Sequence, residues 1–204
     1  MRRSGKMRRE LESRILSIAT RHLIVKLAQS GIAPNSLTYA AFLVAAAASI
    51  LYALSRYSAT LAALAGAVYL LSALLDGLDG QLARLSGKVT KLGGFLDSVL
   101  DKAAEILVCV GIALSGLTDH LSPLLFCASS LYVSYTRARG EGVGVDLSGI
   151  GPAERGERVL IITAASLLMP LHQDALAIGL YVGAVLSAAT GIRRTIYAAR
   201  TLSR

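Results

Sequence analysis

Tryptophan is absent from this 204-residue chain, and aromatic residues make up only 5% of it. A nucleic-acid surface pairs basic residues with stacking aromatics, so the net charge of +8 points to some other use, and no nucleic-acid partner is expected. Cysteine is limited to Cys109 and Cys127, each in an apolar segment without metal or redox spacing, and both read as packing residues. Histidine is limited to His22, His120 and His172, which are scattered and receive no functional assignment. The chain also lacks an internal repeat, a low-complexity segment and a second soluble domain.

Apolar residues, by contrast, are abundant. They make up 54% of the chain and its mean hydropathy is +0.58, too apolar for an ordinary soluble domain. Six apolar segments, at about 37–55, 59–79, 95–115, 121–137, 158–171 and 174–192, predict an all-α integral membrane protein with six transmembrane helices. Several are short for a full span, so helices are expected to continue into polar sequence. Gly66, Gly111, Gly179 and Gly183 fall inside these segments, where small residues let helices approach closely.

Residues 1–30 form an arm with Arg2, Arg3, Lys6, Arg8, Arg9, Arg14, Arg21 and Lys26 set among Leu11, Ile15, Ile18, Leu23 and Leu27. This spacing predicts an amphipathic juxtamembrane helix on an anionic membrane surface, with a solvated basic tail as the alternative. The arm lacks the short apolar core and cleavage site of a signal peptide. The remaining residues, 31–204, make up the predicted six-helix domain. Its basic loops alternate with loops that hold almost none: only Arg56 falls on the other side, and 118–122 and 171–174 contain no Lys or Arg. By the positive-inside rule, both termini face the cytoplasm in a multi-pass cell-membrane protein.

The second apolar segment runs without a breaker into Asp76-Gly77-Leu78-Asp79-Gly80-Gln81-Leu82-Ala83-Arg84, followed by Gly93, Asp97 and Asp101. One carboxylate near the hydrocarbon costs on the order of 3 kcal/mol, so four require compensating positive charge. On helices, Asp76 and Asp79 are i,i+3 neighbours and Asp97 and Asp101 are i,i+4 neighbours, so each pair shares a face. Four hard oxygen donors without His or Cys suit Mg²⁺, or Mn²⁺, rather than zinc. Gly80 and Ala83 leave room for a close approach, and Arg84 reaches a phosphate with a forked guanidinium. The plainer alternative is a solvated acidic helix end with glycine breakers.

The pattern D-x-x-D-G-x-x-A-R, eight residues, G-x-x-x-D-x-x-x-D resembles the signature of the CDP-alcohol phosphotransferases, with every fixed position filled. Such enzymes displace CMP from a CDP-linked lipid or alcohol with a second alcohol. The resemblance implies a CDP-lipid site built from Asp76, Asp79, Gly80, Ala83 and Arg84. Asn35, Ser36, Leu37 and Thr38 before the first span join it, as does Thr90 between the halves of the signature. Read by themselves, Asn35 or Ser36 is a plausible helix N-cap. The resemblance further implies one or two metal ions on Asp76, Asp79 and Asp97, Asp101 as catalytic base and further possible metal ligand, and a homodimer; the positive-inside rule that orients the termini also puts this motif, and so the active site, on the cytoplasmic side.

Tyr135-Thr136-Arg137-Ala138-Arg139-Gly140-Glu141 and Glu154-Arg155-Gly156-Glu157-Arg158 return arginines to the side of the motif. Guanidinium forks match phosphate oxygens, so an acceptor that is itself a phosphate is expected on Arg137, Arg155 and Arg158, with Arg193 or Arg194 completing the set. Positive-inside anchoring is the plainer reading. The two strings are similar to elements of the inositol-phosphate-using branch, though Gly140 and Gly156 stand where alanine is expected. The resemblance therefore implies a phospholipid-biosynthetic transferase carrying a phosphatidyl-type group from a CDP-lipid to inositol 1-phosphate. Use of glycerol 3-phosphate, or of CDP-inositol as donor, is the alternative within the family. A small cation transporter is the alternative outside it.

Overall fold

The computed structural model describes residues 24–203, so the expected arm lies almost entirely outside the described residues; only 24–29 of it are described as helical. Six long helices follow: α1 Pro34–Leu54, α2 Ala59–Leu85, α3 Lys91–Ser115, α4 Leu121–Gly142, α5 Arg155–Leu168 and α6 Ala175–Leu202. No strand occurs among the described residues. As expected, the helices outrun their apolar cores. α2 passes through the whole Asp76–Arg84 motif, and α6 continues past residue 192.

Local chemistry sets the boundaries. α1 starts at Pro34 behind an extended Ala33 with no side-chain cap. This overturns the expectation that Asn35 or Ser36 caps the helix: proline, with φ already helical and no N–H to satisfy, opens the first turn. Ser58 caps α2 by accepting from the Leu61 N–H at 3.2 Å, and Thr90 caps α3 by accepting from the Gly93 N–H at 3.0 Å. Gly116, at φ 68°, closes α3 in the left-handed conformation that glycine tolerates. Asp119 accepts from the N–H groups of Leu121 and Ser122 at 2.9 and 2.8 Å, satisfying the start of α4. These bonds, that to Ser122 foremost, hold its carboxyl below the usual carboxylate range.

α1 packs against both α2 and α3, α2 against α5, and α4 and α5 against α6, whereas α2 and α3 touch each other little. Small and hydroxyl-bearing residues line the closest helix contacts, beside larger core side chains such as Ile112, Phe126, Leu176 and Leu180. Ala41, Ala45 and Ala48 of α1 and Ala62 and Ala65 of α2 are buried, and the Tyr52 and Ser166 hydroxyls meet at 2.6 Å. The predicted close approaches at glycine are present. A Cβ at Gly111 would collide with the Ser49 carbonyl of α1, and one at Gly66 with Ser166 of α5. Gly179 and Gly183 lie equally close to Ala165 and Phe126.

The outward faces are apolar, and Leu43, Leu64, Leu114, Leu124, Leu160 and Val185 are each more than half exposed. Among the described residues, three helical stretches are long and apolar enough to cross a membrane: Pro34–Tyr57, Ala59–Leu85 and Ala175–Leu202. α3 and α4 carry charges at one end, and α5 has only 14 residues.

Candidate active site

The C-terminal third of α2 and the first half of α3 bring the signature together. Asp76 and Asp79, one turn apart, turn inward and are 7% and 5% exposed. Asp97 of α3 meets them, so that one carboxylate oxygen from each of the three lies within 4.8 Å of the others. Thr38, one turn into α1, donates its hydroxyl to Asp79 at 2.5 Å and fixes that carboxylate. Three carboxylates without imidazole or thiolate form the donor set of a hard divalent cation. Their convergence in a poorly hydrated interior demands positive charge. The residues therefore fit a divalent metal.

Asp101 is not in this group of three. It stands one turn further along α3, with its carboxylate paired to Arg155 Nε on one oxygen and to Lys102 Nζ, at 3.0 Å, on the other. Arg155, the first residue of α5, also pairs through Nη1 with Asp76. One guanidinium thus links the α2 and α3 carboxylates across the gap between these helices. Thr38, Ser72, Asp76, Asp101 and Arg155 line a recess at this point.

The remaining expected donor-site residues gather at the same end of the bundle. A Cβ at Gly93 would stand 3.1 Å from both Asn35 Oδ1 and Thr90 Oγ1, so this signature glycine sits directly against both polar side chains. Arg84 is exposed and folds back along α2, its guanidinium 3.5 Å from where a Gly80 Cβ would be. Ser36 is exposed, Ala83 is half-buried, and Leu37 packs against the small cluster of Ile24, Leu78 and Leu82.

The arginines separate by environment. Arg137 and Arg193 are exposed, and Arg137 pairs with Glu141 at 2.9 Å. Arg158, only 2% exposed, is bound by both forks to Glu105, at 2.7 and 3.2 Å, and donates to the Ala153 carbonyl at 3.1 Å. Arg194 is equally buried and donates to the carbonyls of Ile150 and Val133, each at 3.0 Å, and to Glu154 at 3.0 Å. Sequence reasoning missed Lys102 and Glu105. Their signal was available: two further charges, one turn apart, on the helix that carries Asp97 and Asp101.

The chain is similar to known proteins in both sequence and fold. Residues 31–191 match the family model for CDP-alcohol phosphatidyltransferase. The chain is 43% identical to the archaetidylinositol phosphate synthase of Pyrococcus horikoshii over 86% of its own length and 88% of the relative's. It is 44% identical to the synthase of the same name from Methanothermobacter thermautotrophicus, over 79% and 80%. In fold it is similar to the crystal structure of Mycobacterium tuberculosis phosphatidylinositol phosphate synthase in complex with manganese and citrate, with a TM-score of 0.76 at 24% identity over 88% of both chains. A second structure of that protein, with CDP-DAG bound, matches equally well, covering 88% of this chain and 92% of that one. With the complete aspartate signature gathered at one end of a helical bundle and a family match spanning most of the sequence, this chain belongs to the CDP-alcohol phosphatidyltransferase family.

Proposed function

We propose that this protein is a multi-pass membrane enzyme that transfers a phosphatidyl-type group from a CDP-linked lipid to inositol 1-phosphate and releases CMP. The observation that carries this reading is the convergence of Asp76, Asp79 and Asp97 beside an Asp101–Arg155 pair. The first three carboxylates would hold one or two Mg²⁺ or Mn²⁺ ions. When bound, the metal offsets charge building on the diphosphate as CMP departs.

The side chains divide the remaining work. Arg84 clamps the donor diphosphate, and Asn35 and Thr90 meet the cytidine end, with Ser36, Leu37 and Gly80 completing the wall. Asp101 takes the proton of the attacking inositol hydroxyl. The hydroxyl oxygen bonds to the lipid-bearing phosphorus, and the bond from that phosphorus to the bridging oxygen breaks, its electron pair leaving with CMP. Arg155, already beside Asp101, supplies positive charge for the acceptor phosphate, with the exposed Arg137 and Arg193 as its further candidate partners. Arg158 stands behind Arg155, on the Glu105 carboxylate. Arg forks suit such a phosphate better than a neutral acceptor such as serine or free inositol.

All six helices are taken to span the bilayer. The start of α1, the end of α2 and the starts of α3 and α5 share one end of the bundle, as the Thr38–Asp79 and Asp76–Arg155 contacts support. That end carries Arg84, Lys88, Lys91, Arg137, Arg139 and Arg155, which favours a cytoplasmic active site and cytoplasmic termini. The donor's tails then enter from the bilayer, and a homodimer is expected from the family resemblance.

The test is CMP release by the purified protein with Mg²⁺ and a CDP-lipid, comparing inositol 1-phosphate, glycerol 3-phosphate, serine and free inositol. Turnover confined to inositol 1-phosphate supports the reading. Turnover with another acceptor rejects the acceptor, and release with none, while CDP-inositol supports turnover, rejects the donor.

A further inference from the structure

Behind Asp101, away from the three converging carboxylates, lies a second buried ionic cluster. Glu105 is 3% exposed and its carboxylate receives four hydrogen bonds from three helices. Arg158 of α5 gives two, at 2.7 and 3.2 Å, Ser130 of α4 gives one at 3.0 Å, and Lys102 of α3 gives one at 2.7 Å. The Lys102 ammonium also reaches Asp101 at 3.0 Å, so it stands between the two carboxylates.

Helix geometry makes the Lys102–Asp101 contact an arranged one. Consecutive residues point about 100° apart on an α-helix and do not face one another. Asp101 and Glu105, four apart, share a face, and a lysine between them touches both only if its long side chain is turned onto that face. A free lysine samples many rotamers, and the Glu105 carboxylate selects this one. Glu105 is itself fixed by Arg158 and Ser130, so a rigid post spanning three helices stands behind the lysine. Arg155 on one oxygen of Asp101 and Lys102 on the other leave the carboxylate little freedom to rotate.

We propose that Lys102, held in place by the buried Glu105–Arg158 pair, is a positioning residue that fixes the Asp101 carboxylate toward the acceptor hydroxyl. The proposal rests on the reading of Asp101 as the base. Lys102 touches neither substrate nor the converging carboxylates and acts only through Asp101. Displacing a reacting group by an ångström lowers turnover up to about a hundredfold without weakening ground-state binding.

The experiment measures steady-state CMP release and, separately, CDP-lipid binding by calorimetry and thermal unfolding in detergent, for Lys102→Met, Lys102→Arg and Asp101→Asn. Lys102→Met is expected to lower kcat about 10–100-fold, with the KM for inositol 1-phosphate, the donor affinity and Tm nearly unchanged. Lys102→Arg, which keeps a cation in reach of both carboxylates, is expected to regain most of the loss. A kcat within about twofold of the parent in Lys102→Met overturns the proposal. So does a raised acceptor KM at unchanged kcat, which would make Lys102 a ligand of the acceptor phosphate, and so does a loss that tracks Tm and is not rescued by arginine. If Asp101→Asn turns over normally, the base assignment itself fails. If Asp101→Asn is inactive and Lys102→Met is not, only the positioning role fails.

Discussion

Replacing Arg158 by methionine removes two hydrogen bonds, at 2.7 and 3.2 Å, from a carboxylate that protein surrounds almost completely; the two side chains are 2% and 4% exposed. Breaking a buried ion pair from one side costs about 3–5 kcal/mol, because the remaining charge is left without its partner. Lys102 and Ser130 still donate to Glu105, which places the expected loss near the lower end, about 3 kcal/mol. A chain of this size loses about 2–4 °C of Tm per kcal/mol, so Arg158→Met should unfold roughly 6–12 °C below the parent in the same detergent. Glu105→Leu combined with Arg158→Met removes both charges and should recover most of that stability, since matched apolar replacements of buried pairs are often neutral. The assay is thermal unfolding followed by circular dichroism, alongside the KM for inositol 1-phosphate. An unchanged Tm in Arg158→Met together with a large rise in that KM would refute the argument: Arg158 would then leave Glu105 to bind the acceptor.

Other expectations concern the metal and the packing. Asp97→Asn should abolish CMP release and metal-dependent CDP-lipid binding together, whereas Asp101→Asn should lose turnover but retain binding measurable by calorimetry with Mg²⁺; equal loss of binding in both would contradict their separate roles. Chelation with EDTA should stop CMP release, and added Mg²⁺ or Mn²⁺ should restore it, a result that fails if activity persists in chelator. Gly111→Ala should lower Tm through collision with the Ser49 carbonyl, while Gly94→Ala, with open space around it and helical backbone to stiffen, should be neutral or raise stability by about 0.5–1 kcal/mol. Equal effects of the two glycine substitutions on Tm would mean that the α1–α3 approach is not set at Gly111.

The acidic cluster was legible in the sequence because helical periodicity is a local property. Offsets of three and four residues on apolar helices place Asp76 with Asp79, and Asp97 with Asp101, before any tertiary contact is known. The span glycines were legible for a similar reason, since a small residue in an apolar run has few uses besides close packing. The start of α1 was misread because two good capping residues, Asn35 and Ser36, follow a proline that has already opened the helix. Leaving the cap frees Asn35 to lie against Gly93. The commitment of Arg158 could not be read locally: its partner lies 53 residues away, and a string of arginines looks alike whether each faces solvent or a buried glutamate. The spacing of Lys102 and Glu105 is local, but the burial that gives the pair its role depends on Ser130 and Arg158, 25 and 53 residues away from Glu105.

The two acid-bearing helices α2 and α3 scarcely touch, and each instead lies along α1. The spacing of the carboxylates is therefore gauged by a third element that contributes no acid, through its Ala41, Ala45 and Ala48 face, the Ser72 hydroxyl bond to the Ala41 carbonyl and the Ser49 contact at Gly111. α1 works as a jig. Inserting one residue into it would turn its far half by about 100° and shift the seats of α2 and α3 with every aspartate still present. Variation along this alanine-rich face thus tunes the distance between the converging carboxylates from outside the signature.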